Sequence, residues 1–146
     1  MIEGLSHITF VTSDLDRMTR LFVEGLGATV TYDSGEVQFS LSRERFFGLG
    51  GLWIAAMEGE SLPLRSYNHV AFKIAETDFE RLEGVVAGLG FSLVPPRPRV
   101  KGEGRSIYFH DHDNHLFELH TGTLQERLAR YCQGRQVPAA ASGPTP

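Results

Sequence analysis

The chain has 146 residues, 41% of them hydrophobic, one cysteine and a formal net charge of −4. That length supports one compact unit with a real core and is short for two ordinary domains. The acidic balance excludes phosphate-driven, sequence-independent nucleic-acid binding, the lone Cys132 excludes an intramolecular disulfide framework, and no stretch is apolar enough to span a bilayer. With no basic, apolar leader at Met1, the expected location is the cytoplasm.

In chain order, Ile8 and Phe10 alternate as on a strand. Ser13 stands where an N-cap opens a helix, whose apolar stripe is Leu15, Met18, Phe22 and Leu26. Gly27 follows at the place of a left-handed helix terminator. Three strand-like segments come next: ATVTYDS (28–34), VQFSLS (37–42) and GLWIAAM (51–57). Between the last two lies SRER, which by itself reads as a charged, solvated turn.

The pattern then recurs. Aligning His69 on His7 places Phe72 on Phe10 and, with one residue of slippage, Leu89-Gly90 on Leu26-Gly27. Val70, Phe72 and Ile74 mark a strand, and Thr77 and Glu80 have capping-box spacing. Phe79, Leu82, Val86 and Leu89 form a helical stripe ahead of the strand-like FSLVP (91–95), RSIYFHD (105–111) and HLFELHT (115–121). The expected fold is α+β: two tandem βαβββ modules, over 1–66 and 67–123, forming a cupped mixed sheet. A C-terminal helix is expected over 124–135, and the proline- and alanine-rich tail 136–146 is expected to be disordered.

Equivalent strand positions in two copies of one unit point to equivalent places. On strands rich in Ile, Phe and Val, a single histidine reads as a hydrogen-bonded core residue, whereas His7 and His69 at matched positions read as two ligands over one cavity. Glu118, mid-strand among apolar neighbours, needs a partner, because an unpaired buried carboxylate is costly. Two imidazoles and one carboxylate leave open coordination positions, which suits catalytic Mn or Fe better than closed structural Zn. His120 shares Glu118's strand face and is read as a neighbour of the ligand set. His110, His112 and His115 flank DHDN and read as a solvated hairpin.

The paired βαβββ layout, the histidine opening each half and DHDNHLFELH resemble the vicinal-oxygen-chelate superfamily over residues 1 to about 133. Within it, GLSHITF, QFSLSRERFF, RSYNHVAFKI, PPRPRVKGEGRSIYF and FELHTGTLQERLAR resemble the fosfomycin-resistance group, in its hydrolase branch commonly called FosX. The resemblance implies His7, His69 and Glu118 as ligands of Mn(II), with Fe, Co, Ni or Zn as other ions the set accepts. It implies Glu44 of SRER as the general base. The implied reaction adds water to the oxirane of fosfomycin and gives a vicinal diol phosphonate.

For the phosphonate, the resemblance implies Thr9, Ser106, Tyr108 and Arg127 as donors. Tyr67 is placed on the wall, and the loop supplies Arg99 and Lys101, with Arg97, as cations. That loop departs from the transferase pattern of a lysine with serines. The resemblance further implies a swapped homodimer in which His7 of one subunit meets His69 and Glu118 of the other, with no nucleic-acid or membrane partner. Two alternatives share the fold. A metal-dependent thiol transferase on fosfomycin is opposed by Glu44, and a metal-free drug-binding protein is opposed by the filled ligand positions.

Overall fold

In the computed structural model, residues 1–98 and 102–132 are described. Strand β1 (His7–Thr12) leads into helix α1 (Leu15–Arg20), which continues through a π-helical turn, Leu21–Gly25. Asp14 starts this helix, its carboxylate accepting the backbone N–H of Asp16 and of Arg17, each at 3.0 Å. Ser13 is not the cap, because its own N–H and hydroxyl donate to Asp113 at 2.9 and 2.7 Å. The stripe expected from the sequence does face inward: Leu15, Met18 and Phe22 are buried, joined by Leu21. Gly27 takes φ +75°, so the chain reverses there without the steric cost a Cβ would bring.

Strands β2 (Thr29–Asp33), β3 (Glu44–Leu49) and β4 (Leu52–Glu58) complete a four-stranded sheet of order β1-β4-β3-β2. Strand β1 runs parallel to β4, and the other pairs are antiparallel. VQFSLS is not a strand. Its alternating Phe39 and Leu41 are 79% and 89% exposed, and the Gln38 side-chain amide donates to the carbonyls of Ser40 and Leu41, closing the segment on itself. The strand begins instead inside SRER, so Glu44 is a strand residue, 9% exposed, and not part of a solvated turn.

The second half repeats this layout with β5 (His69–Lys73), α2 (Phe79–Gly88), β6 (Ser92–Val94), β7 (Ser106–His110) and β8 (Leu116–His120). Its sheet has the order β5-β8-β7-β6, and β5 runs parallel to β8. Thr77 does not cap α2. It lies inside a 3-10 turn, Glu76–Asp78, and Asp78 precedes the helix with no side-chain cap bond. A reciprocal capping box forms on α3 (Leu124–Cys132), where Thr123 and Glu126 bond each other's backbone N–H at 2.8 and 3.2 Å. The remainder of the helix expected to 135 and the tail 136–146 lie outside the described residues.

Strand parity sends Phe10, Phe47 and Ile54 of the first sheet, and Phe72, Phe109 and Phe117 of the second, into one apolar core with α1 and α2. Phe117 is at its centre, with ring centroids of Phe10, Phe109 and Phe22 at 5.1, 5.5 and 6.1 Å. Each such ring contributes about 1.5–3 kcal/mol by leaving water. The sheets therefore share a core through their helix-bearing faces, and their other faces are open.

The DHDN turn is not a solvated hairpin. Asp111 and Asp113 are 5% and 3% exposed, and His115 Nδ1 lies 2.8 Å from Asp111 Oδ2. Burial, then the nearby Arg65 charge, lowers the His110 pKa. Asp113 accepts from the hydroxyls of Thr12 (2.5 Å), Ser13 and Ser61, all in the first half of the chain. Burial pushes its pKa up, but the Ser61 and Thr12 hydroxyls and the Ser13 N–H and hydroxyl outweigh that and hold it at about 2.

Candidate active site

Strand register decides which side chains share an open face. On the second sheet, Ala71, Glu118 and Tyr108 lie side by side, flanked by the row His69, Leu116, His110 and the row Lys73, His120, Ser106. Glu118 is 5% exposed at the middle of this array. Burial raises its pKa, but hydroxyl bonds from Ser106 and Tyr108, with the His120 and His69 charges, outweigh burial and hold the carboxylate below its ordinary range.

His69 is oriented by its backbone neighbour. Its Nδ1 lies 2.8 Å from the Tyr67 carbonyl oxygen, which can only accept, so Nδ1 carries the proton. In the neutral ring, the Nε2 lone pair then faces Glu118 Oε2 at 3.1 Å. Two acceptors at that distance repel unless a proton or a cation lies between them. A carbonyl that fixes the tautomer of an imidazole paired with a carboxylate is the usual support for a metal-binding histidine.

The first sheet's open face carries His7, Thr9 and Glu44, since His7 pairs with Trp53, Thr9 with Ala55 and Glu44 with Met57. His7 Nδ1 lies 3.1 Å from the Ser6 hydroxyl, and its ring packs on Trp53 at 4.3 Å. The Glu44 backbone is fixed at the strand start, its N–H donating to Ser34 Oγ at 3.0 Å. Tyr67 is 69% exposed, its ring 5.1 Å from His69. Arg127 is half-buried in the first turns of α3, and Arg97 pairs with Glu103 at 3.7 Å. Arg99 and Lys101 lie outside the described residues.

The structure thus brings His69, Glu118, Ser106 and Tyr108 together and keeps His7, Thr9 and Glu44 on the other sheet. Among the described residues, no group of three His, Cys, Asp or Glu side chains lies close enough to hold a metal.

The Glyoxalase/Bleomycin resistance protein/Dioxygenase superfamily model matches residues 4–119. The chain belongs to this superfamily. It is 60% identical to the fosfomycin resistance protein FosX of Mesorhizobium japonicum, over 94% of this chain and 99% of that one. It is 36% identical to the metallothiol transferase FosB of Staphylococcus saprophyticus, over 90% and 85%. A solved structure of a Listeria monocytogenes FosX variant, complexed with Mn(II) and 1S,2S-dihydroxypropylphosphonic acid, superposes with a TM-score of 0.83 at 50% identity, covering 90% of this chain and 99% of that one.

In this superfamily member, two features of the site were not legible in the sequence. The Ser106 hydroxyl stands between Glu118 and His120, donating to Glu118 Oε1 and lying 2.7 Å from His120 Nδ1. The Asp113 knot reaches back 101 and 100 positions to Thr12 and Ser13. Buried acidic residues in a turn sequence were the available signal, but their partners are set only by packing.

Proposed function

We propose that this chain is a Mn(II)-dependent fosfomycin epoxide hydrolase that adds water to the oxirane and yields the vicinal diol phosphonate. The observation that carries the reading is the opposed pair His69 Nε2 and Glu118 Oε2, 3.1 Å apart with the His69 tautomer fixed by Tyr67. That donor pair fits a divalent ion, and His7 would be the third ligand. When bound, Mn(II) supplies a Lewis acid for the oxirane oxygen and a positive charge for the phosphonate.

The chain's own residues supply the rest. Glu44 takes one proton from the attacking water as its oxygen bonds to carbon on the side opposite the breaking C–O bond. The freed ring oxygen takes up a proton, so the net change is addition of one water. Thr9 and Arg127 are proposed to hold the phosphonate, Tyr67 to wall the pocket, and Tyr108, whose hydroxyl bonds Glu118, to line it beside the carboxylate. Guanidinium suits the phosphonate because its forked donors match paired oxygens. The diol phosphonate in the Listeria monocytogenes complex is the product this reaction would leave.

Because His7 and Glu118 stand on faces that point away from their shared core, one chain cannot complete the site. The reading therefore includes a homodimer in which modules 1–66 and 67–123 of different subunits cup one cavity. A groove of about 550 Å³ runs along edge strands β1 and β5, lined by Thr9, Val11, Leu64 and His69. Among the described residues no helix is long and apolar enough to cross a membrane, and the reading places the enzyme in the cytoplasm.

Phosphorus NMR of fosfomycin with Mn(II)-loaded protein tests the proposal. Diol is expected without any thiol, and Glu44→Ala is expected to lose at least about 100-fold in rate, the usual scale of a general base. An adduct formed only with thiol would assign the transferase reaction instead. Unchanged drug under both conditions would remove fosfomycin as substrate.

A further inference from the structure

Ser106 is expected from the sequence to donate to the phosphonate, but its hydroxyl has a single proton. An ionised carboxylate can only accept, so the close approach of Ser106 Oγ to Glu118 Oε1 commits that proton to Glu118. Toward His120 Nδ1, 2.7 Å away, the same oxygen is left to act as acceptor. His120 must then carry its proton on Nδ1. The ring occupies space that two glycines leave open. A Cβ on Gly122 would stand 2.6 Å from His120 Nε2, and one on Gly104 would stand 3.3 Å from His120 Cε1 and 2.4 Å from Gly122 N. The two backbones are also joined, the Thr121 N–H donating to the Arg105 carbonyl at 3.0 Å and the Arg105 N–H to Thr121 Oγ1 at 2.9 Å.

We propose that His120 is a positioning residue acting through Ser106: its Nδ1–H fixes the Ser106 hydroxyl, which fixes the Glu118 carboxylate in the rotamer that meets His69. Ser106 is thereby assigned to this relay and not to the phosphonate. The inference rests on Glu118 being a Mn(II) ligand, and the experiment separates the two.

Mn(II) affinity is measured by electron paramagnetic resonance titration of the full chain and of Glu118→Gln, His120→Ala, His120→Asn, Ser106→Ala and the Ser106/His120 double alanine variant. Loss of an outer partner of a metal ligand weakens binding by about 10- to 100-fold, and that loss is expected for His120→Ala and for Ser106→Ala. The double variant should lose no more than either single one, because the two act in series. Asparagine places an amide N–H where Nδ1–H stands, so His120→Asn should recover most of the affinity, which a merely space-filling role would not require. Long-range proton–nitrogen NMR of the metal-free wild type should show the Nδ1–H tautomer of His120, a readout that does not depend on any variant folding.

Wild-type affinity in His120→Ala, additive losses in the double variant, no recovery by asparagine, or an Nε2–H tautomer would each overturn the relay. Glu118→Gln reports on the ligand reading itself. If it binds Mn(II) as tightly as wild type, that reading fails and takes the relay with it. If it loses affinity while His120→Ala does not, the relay alone fails.

Discussion

Asp113 accepts from Thr12, Ser13 and Ser61 while only 3% exposed, so one carboxylate of the second half satisfies four donors on three residues of the first. Its pKa, about 2 in the fold, is near 3.8 in an unfolded chain, so the unfolded state binds more protons between those values. The contribution is therefore fully present above about pH 4 and lost as pH falls through about 2. It amounts to roughly 2 kcal/mol, at 1.36 kcal/mol per unit. Denaturant titrations at pH 7, 4 and 2 should show Asp113→Asn less stable than wild type at pH 7 by about 2–3 kcal/mol. Between pH 4 and 2 the variant should lose about 2 kcal/mol less than wild type does. A parallel pH dependence in both proteins would mean that Asp113 does not tie the halves together. Nothing local in DHDN marks this aspartate. Its partners are up to 101 positions away, which is why the turn reads as solvated from sequence alone.

At the scale of elements, periodicity and the helix-ending glycines were good guides, and N-cap and strand-limit signals were not. The apolar stripes of α1 and α2 depend on a repeat of 3.6 residues that any helix must obey, and they face the core as read. Caps and strand limits depend on competition. Ser13 has cap chemistry but Asp113 takes its donors, so Asp14 caps α1. The Thr-x-x-Glu spacing fails at 77–80 and forms a box at 123–126. VQFSLS alternates like a strand, yet the neighbouring register belongs to Glu44–Leu49.

Two glycines test how far backbone geometry controls elements. Gly104 has φ +73° and backbone atoms 2.4 Å from where a Cβ would stand, so Gly104→Ala should cost more than about 2 kcal/mol in thermal or denaturant unfolding. Gly84 lies within α2 with nothing within 4 Å of that position. Gly84→Ala should stabilise by about 0.5–1 kcal/mol through helix propensity. Equal effects at the two sites would show that the 104–122 contact is not a constraint.

For the whole molecule, the decisive feature is that both sheets spend their helix-bearing faces on one core, leaving His7 and Glu118 on separate open faces. The proposed dimer makes a specific prediction. His7→Ala and Glu118→Gln homodimers should each lack most hydrolase activity. Unfolding and refolding them together should restore a substantial part, because a mixed dimer carries one site with His7, His69 and Glu118 all intact. No recovery, despite mixed dimers visible by native mass spectrometry, would place all three ligands on one chain.

What depends on spacing alone is legible without coordinates: the duplicated strand–helix–strand layout, the left-handed Gly27 and Gly90, the matched His7 and His69, and the shared strand face of Glu118 and His120. Parity and helical period act between near neighbours, so they can be read without coordinates. Long-range packing, by contrast, makes Glu44 open a strand, buries Asp113 under first-half hydroxyls, directs the Ser106 proton at Glu118, and sets the two halves with their open faces apart. Each of those follows from which groups distant in the chain meet once the apolar core has closed, and a buried polar group takes the partner that the core brings to it.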